Sequence, residues 1–166
     1  MSIRKLTIIA LAFFLIILIG IVAYFTSTNK PLEYRNAQYG FSFALPSSWK
    51  GYTIANGSWE GFPIDAVATQ TGSISQKDTA PLTRIRPPLW TVQKPRHDLP
   101  IIVFTPAQWD LIQQEKLSVS AAPIGPSELG RNSGYVFALP ARYNFAFPEG
   151  FEEVNTIIQS KPLRAF

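Results

Sequence analysis

Two hydrophobic patterns divide this chain. Residues 6–25, LTIIALAFFLIILIGIVAYF, run for 20 positions without a charge, and 14 of them are Leu, Ile, Val or Phe. No polar face interrupts them, as a helix packed on a soluble core would require. A helix of that length measures about 30 Å, the thickness of a hydrocarbon core. At roughly −0.3 to −0.6 kcal/mol per large apolar residue, insertion is favoured by about 4–8 kcal/mol. Beyond residue 31 the apolar stretches are short, and Phe41-Ser42-Phe43-Ala44-Leu45 alternates large apolar with small. That is the pattern of strands with one face buried.

The flanks of the long run set its orientation. Arg4 and Lys5 precede it without an acid, whereas Lys30 stands alone beyond it. The positive-inside rule keeps the N-terminus cytoplasmic and sends the remainder across. The run exceeds the 7–15 residues or so of a cleavable signal, and Tyr24 and Phe25 stand where small residues are wanted. These features predict an uncleaved signal anchor. The expected organisation is a cytoplasmic tip (1–5), a transmembrane anchor (6–25), a polar linker (26–31) and an extracytoplasmic domain (32–166).

Within the domain, Leu32–Arg35 and Phe41–Leu45 predict a hairpin around Asn36–Gly40. Pro46 closes it, and Trp49 is expected to lid the core. Residues 56–63, rich in Gly, read as a loop, Ile64–Thr69 as a strand and Thr71–Leu82 as a polar loop. Arg84–Arg86 forms a short strand stopped by Pro87-Pro88, which cannot donate to a ladder. Ile101–Phe104 is apolar throughout and predicts a central strand covered on both faces. Thr105-Pro106-Ala107-Gln108 supplies a hydroxyl N-cap, Pro at N1 and Gln at N3, a capping box, with Trp109 and Ile112 on one face behind it. A second helix is predicted over about 149–160, with Glu149, Glu152 and Glu153 at its positive end and a stripe of Phe151, Val154 and Ile158. Leu117–Val119 and Tyr135–Leu139 read as strands. Helices and strands do not alternate, which argues against a doubly wound sheet. The expected fold class is α+β, an antiparallel sheet with helices packed on it, preceded by one transmembrane helix.

The phrase Tyr39-Gly40-Phe41-Ser42-Phe43-Ala44-Leu45-Pro46-Ser47-Ser48-Trp49 resembles the opening of PsbP-type domains. Those begin with a hairpin ending in a similar Gly-Phe-x-Phe-x-x-Pro-x-x-Trp phrase. The resemblance implies a PsbP-like α/β/α sandwich with a C-terminal helix. Members of the family serve photosystem II as extrinsic subunits. The matched residues are a turn, a strand and a Trp plug, so no functional residue carries over.

Charge changes the picture only after the anchor is set aside. The chain of 166 residues holds 15 Lys+Arg and 11 Asp+Glu. Residues 1–30 contain Arg4, Lys5 and Lys30 and no acid, so 12 basic and 11 acidic groups remain beyond them, a net +1. A near-neutral domain lacks the footprint of a nucleic-acid binder. With no Cys, disulfides, thiol nucleophiles and Cys-based metal sites are excluded, and a single His excludes His-rich metal sites. The acids are scattered and no Asp-x-Asp loop occurs, so neither a metal nor a cofactor is expected.

Candidate chemistry falls in four places. His97-Asp98 is the only His–acid neighbour pair, a general base with its orienting carboxylate if catalytic. On an extended chain, however, neighbours point to opposite sides, and no Gly-x-Ser-x-Gly elbow supplies a nucleophile. Residues 79–97 contain Arg84, Arg86, Lys94, Arg96 and His97 with Trp90 and no acid. Arg84 and Arg86 would share one strand face, suited either to anionic headgroups, envelope polyanions or an acidic partner, or to a solvated strand edge. Arg131 and Asn132 precede a buried strand, and Arg142, Tyr143 and Asn144 follow it. Such positions carry sites, though arginines there also cap sheets by pairing with carboxylates. Trp59, in the Gly-rich segment, is a candidate recognition aromatic if exposed, whereas Trp49, Trp90 and Trp109 are expected in the core. Asn56-Gly57-Ser58 is a glycosylation sequon. Together these readings predict a membrane-anchored extracytoplasmic domain that binds a partner or ligand without catalysis. Its expected partners are the lipid bilayer, through residues 6–25, and an envelope protein or anionic envelope polymer. The alternatives are an envelope hydrolase or transferase using His97 and a structural subunit of a membrane complex.

Overall fold

The computed structural model describes residues 32–64, 78–119 and 124–166, together with Leu15 and Ile17. Contacts divide the chain into Met1–Pro31 and Leu32–Phe166. In the second unit the hairpin β1 (Leu32–Asn36) and β2 (Phe41–Leu45) is followed by a 3-10 turn, Ser47–Trp49. Then come β3 (Thr53–Pro63), β4 (Asp78–Arg86), β5 (Leu99–Phe104), α1 (Pro106–Gln113), β6 (Leu117–Ser118), β7 (Ser127–Arg131), β8 (Val136–Leu139), α2 (Phe151–Gln159) and β9 (Leu163–Ala165).

Every pairing among the described residues is antiparallel. One sheet has three strands in the order β1-β2-β9, the other six in the order β6-β3-β4-β5-β8-β7. This corrects the expected layers. A single sheet sandwiched by helices is not what forms. Phe41 and Phe43 of β2 pack into the same core as Ile85, Leu99, Ile101, Val103 and Phe137, so a second sheet shares with Val154 and Ile157 of α2 the face assigned to helices. The reason is dimensional. Helices of eight and nine residues are only about 12–14 Å long. Six strands spaced about 4.8 Å apart span roughly 24 Å. The transmembrane helix of the expected fold is not found either: among the described residues no helix is long and apolar enough to cross a membrane. Residues 6–25 lie outside the described residues except for Leu15 and Ile17, which are helical and exposed.

Strand β5 behaves as its uninterrupted apolar run requires. All six residues are buried, and it lies between β4 and β8. Leu99, Ile101 and Val103 enter the core shared with the small sheet, while Ile102 and Phe104 enter a second core with Trp59, Leu82, Trp109, Ile112 and Leu117. The α1 start is as read: Thr105 accepts from the Gln108 N–H, and Gln108 caps the Thr105 N–H in return. In α2 the buried residues are Val154 and Ile157, with Ile158 only partly covered.

Residues 56–63 are strand rather than loop. Trp59 is buried, not a recognition aromatic. Its indole lies over Gly61, where an added Cβ would come within 2.5 Å of the ring. Glycine here makes room for the neighbouring aromatic. The indole N–H donates to the Val119 carbonyl at 2.9 Å, and the ring meets Phe104 edge-on at 5.1 Å. Strand β4 begins at Asp78, inside the segment expected to be loop, and pairs with β3 from Gly61 to Thr53. Ile64 is a turn residue, and residues 65–69 of the strand expected there lie outside the described residues.

Phe43, with no exposed surface, tests the two-sheet core. Phe43→Ala is expected to destabilise the domain by about 3–5 kcal/mol, read from the urea midpoint of the full chain in detergent.

Candidate functional site

Two loops close one end of the large sheet. Pro87-Pro88 ends β4, and the chain turns twice before β5: the Trp90 N–H donates to the Pro87 carbonyl at 3.0 Å and the Lys94 N–H to the Thr91 hydroxyl at 2.9 Å. After β8 the chain passes through tight turns with Arg142, Ala146 and Phe147 in the left-handed region. The Phe145 N–H donates to the Arg142 carbonyl at 2.9 Å.

The loops are joined to each other. The His97 N–H donates to the Glu149 carbonyl at 2.8 Å. The Glu149 carboxylate takes the Arg96 guanidinium, with Lys94 Nζ at 3.7 Å. The His97 ring stacks on Tyr143, with centroids 5.8 Å apart, and the Tyr143 hydroxyl donates to Asn155 Oδ1 at 2.7 Å. Burial pushes the Tyr143 phenol above its usual range. The Asn144 amide reaches the same Asn155 oxygen at 3.5 Å.

Arg84 and Arg86 do share a strand face. The Arg86 guanidinium lies 3.6 Å over the Trp90 ring, and its Nε is 3.8 Å from Asp98 Oδ2. Trp90 is therefore a half-covered stacking platform, not core. Burial raises the Asp98 carboxyl pKa; Arg84, Arg86 and His97 oppose this. His97 and Asp98 face opposite sides, one toward Tyr143 and the other toward Arg86, so the carboxylate does not orient the imidazole. His97 is only 6% exposed. This geometry gives no support to a His97 catalyst. Among the described residues no three His, Asp or Glu side chains are grouped as a metal site would need.

Arg84, Arg86 and Trp90 thus lie on one side of this end, and Arg142, Tyr143 and Asn144 on the other. Arg131 and Asn132 lie elsewhere. Arg131 is exposed and pairs with Glu128, Nε to Oε1 at 2.8 Å; this hydrogen bond holds the Glu128 carboxyl below its usual range. Asn132 is a staple. Its amide N–H₂ donates to the carbonyls of Tyr39 and Gly40 at 3.0 and 3.1 Å and to a backbone oxygen of Phe166 at 3.2 Å; its oxygen accepts from the Gly134 and Tyr135 N–H groups.

Sequence reasoning missed the apolar residues at the loop tips. Leu89, Val92, Phe145 and Phe147 are 67–79% exposed. Their signal was available: each is a large apolar residue in a Pro-bounded segment with no strand or helix period to bury it. Elsewhere, α1, β6 and residues 124–126 border an open cleft of 550 Å³ walled by Ile112, Leu117, Val119 and Ile124, with Gln113 and Glu115 at its edge. None of the residues singled out in the sequence lines it.

No protein-family model matches this chain, and comparison with curated proteins and solved structures gives no significant match. The PsbP-type resemblance therefore rests on residues 39–49 alone.

Two predictions follow the geometry. Asn132→Ala strands the Gly134 and Tyr135 N–H groups and is expected to cost about 1–3 kcal/mol; Arg131→Ala should leave the urea midpoint unchanged. The second concerns pH. Burial pushes the His97 imidazole below its ordinary 6.5, with the Asp98 charge opposing. The unfolded chain takes up this proton as pH falls through 6.5, whereas the folded domain resists it. The stability is therefore intact above 6.5 and declines with acidification below it. Asp98, with its raised pKa, contributes the opposite slope from its ordinary 3.8 upward. The urea midpoint should fall as pH drops below 6.5, and His97→Phe should remove that fall.

Proposed function

We propose that this chain is an envelope protein anchored in the membrane through residues 6–25, its N-terminus cytoplasmic, and that the 32–166 domain binds an envelope component without catalysis. The binding surface is the end closed by residues 87–98 and 140–150. One observation carries the reading: four large apolar side chains stand exposed on two joined loops, with Lys94 and Arg142 exposed on the same loops and the loops' acids, Asp98 and Glu149, paired with Arg86 and Arg96. Exposed apolar clusters of this kind mark interaction sites. The stacked and hydrogen-bonded His97–Tyr143–Asn155 chain supports the role by fixing the two loops to α2.

A photo-crosslinking residue placed at Gln93 in the full chain, in intact cells, should give light-dependent adducts to an envelope component. The same residue at Ala37, on the β1–β2 turn at the far end of β1, should not. Equal yields at both positions would remove the assignment of the surface.

A further inference from the structure

We infer that the partner of this end is the anionic surface of the bilayer that holds the anchor, an inference that rests on the anchored reading above. The argument begins with where the domain's chain enters. Leu32 pairs with Leu45 at the start of the hairpin. Leu45 leads into Pro46 and the 3-10 turn, where the Ser48 hydroxyl donates to Glu153 in the first turn of α2 at 2.7 Å. Gly51 lies against Pro88, and Thr53 pairs with Arg86. The entry point, the 46–52 segment, the 87–98 loop and the 140–150 loop therefore share one end of the domain. The β1–β2 turn, Asn132 and Phe166 share the other.

Chain length then sets the distance. Residues 26–31, fully extended, reach at most about 20 Å. For an anchor ending at residue 25, the tether gives this end, where the chain enters, the shorter reach to the headgroups. Tethering of this kind raises the effective concentration of the surface, so weak contacts are engaged.

The chemistry of the end suits that surface. Phe145 and Phe147 at 72% and 68% exposure, with Leu89 and Val92 at 67% and 79%, are the residue types that enter the interfacial layer of a bilayer. Phe147 is propped by Phe151, ring centroids 5.0 Å apart, and so is presented outward rather than folded away. Lys50, Lys94 and Arg142 are exposed around them. The nearest acids are engaged: Asp98 by Arg86 and Glu149 by Arg96. Glu152 and Glu153, both exposed at the start of α2, leave the end only mildly cationic. Apolar insertion is thus the main attraction, and anionic headgroups add to it through the cations.

The chain has no cysteine, which allows single labels. Gln93→Cys, Ala146→Cys and Ala37→Cys variants of the full chain, each carrying an environment-sensitive nitrobenzoxadiazole, would be reconstituted into vesicles of phosphatidylcholine with phosphatidylglycerol and a nitroxide-bearing lipid. The labels at 93 and 146 should be blue-shifted and quenched several-fold more than the label at 37, and less so in phosphatidylcholine alone. Flotation of the same vesicles after carbonate treatment reports the anchor separately. Chains that float with no excess quenching at 93 and 146 overturn the bilayer assignment while leaving the anchor standing. Equal quenching with and without phosphatidylglycerol overturns the anionic preference. Labels dark to the lipid quencher that shift only with a protein partner overturn it in favour of that partner, and chains that do not float overturn both readings.

Discussion

The double burial of β5 is the constraint on which the rest of this domain depends. Six consecutive residues, Leu99–Phe104, have no exposed face, and side chains alternate along a strand. Two separate apolar surfaces must therefore be covered. On one, Leu99, Ile101 and Val103 meet the phenylalanines of β2 and the Val154–Ile157 edge of α2. On the other, Ile102 and Phe104 meet Trp59, Trp109 and Ile112. The two ends of the domain's chain are committed to one face of this strand and its middle to the other. Neither the small sheet nor α1 has another place to bury its apolar side.

This explains why parts of the fold could be read from sequence and others could not. The hairpin, β5, the capping box at Thr105 and the second helix each carry their determinant locally, within a turn, a run or a cap. Strands β3 and β4 do not. Gly57, Gly61 and Pro81 are all weak strand formers. What makes them strand is a partner 17 to 25 positions away and, at Gly61, the need to leave space for an indole two residues earlier. The small sheet was misjudged for a similar reason. Its third strand, β9, is three residues long and acquires its identity only by pairing with Phe41–Phe43. Without it, one antiparallel sheet covered by helices is the reading that the sequence offers.

The candidate site divides along the same line. Arg84 and Arg86 on one face follows from strand period alone. Asn132, flanking a buried strand, satisfied the same sequence criterion as Arg142 and Tyr143, but its bonds run to residues 92 and 93 positions away. A polar residue beside a strand can serve a ligand or a distant backbone, and only the assembled sheets distinguish the two. His97 shows a further limit. Its neighbour in sequence is a carboxylate, yet its neighbour in space is a tyrosine ring, because an extended backbone turns adjacent side chains apart.

The arrangement at the loop end also has an internal logic. Glu149 is used twice by the opposing loop, its carbonyl by the His97 N–H and its carboxylate by Arg96. The loops thus hold each other by polar groups in their stems, which leaves their apolar tips without a role in holding the fold. Leu89, Val92, Phe145 and Phe147 are too exposed to contribute much burial. In water such a cluster is a liability for aggregation. A surface that covers it removes that liability. The chain enters the domain at this same end, so the tether that would bring the cluster to a membrane and the surface that would cover it have one source. The stems satisfy the fold, and the tips are left to meet what lies beyond it.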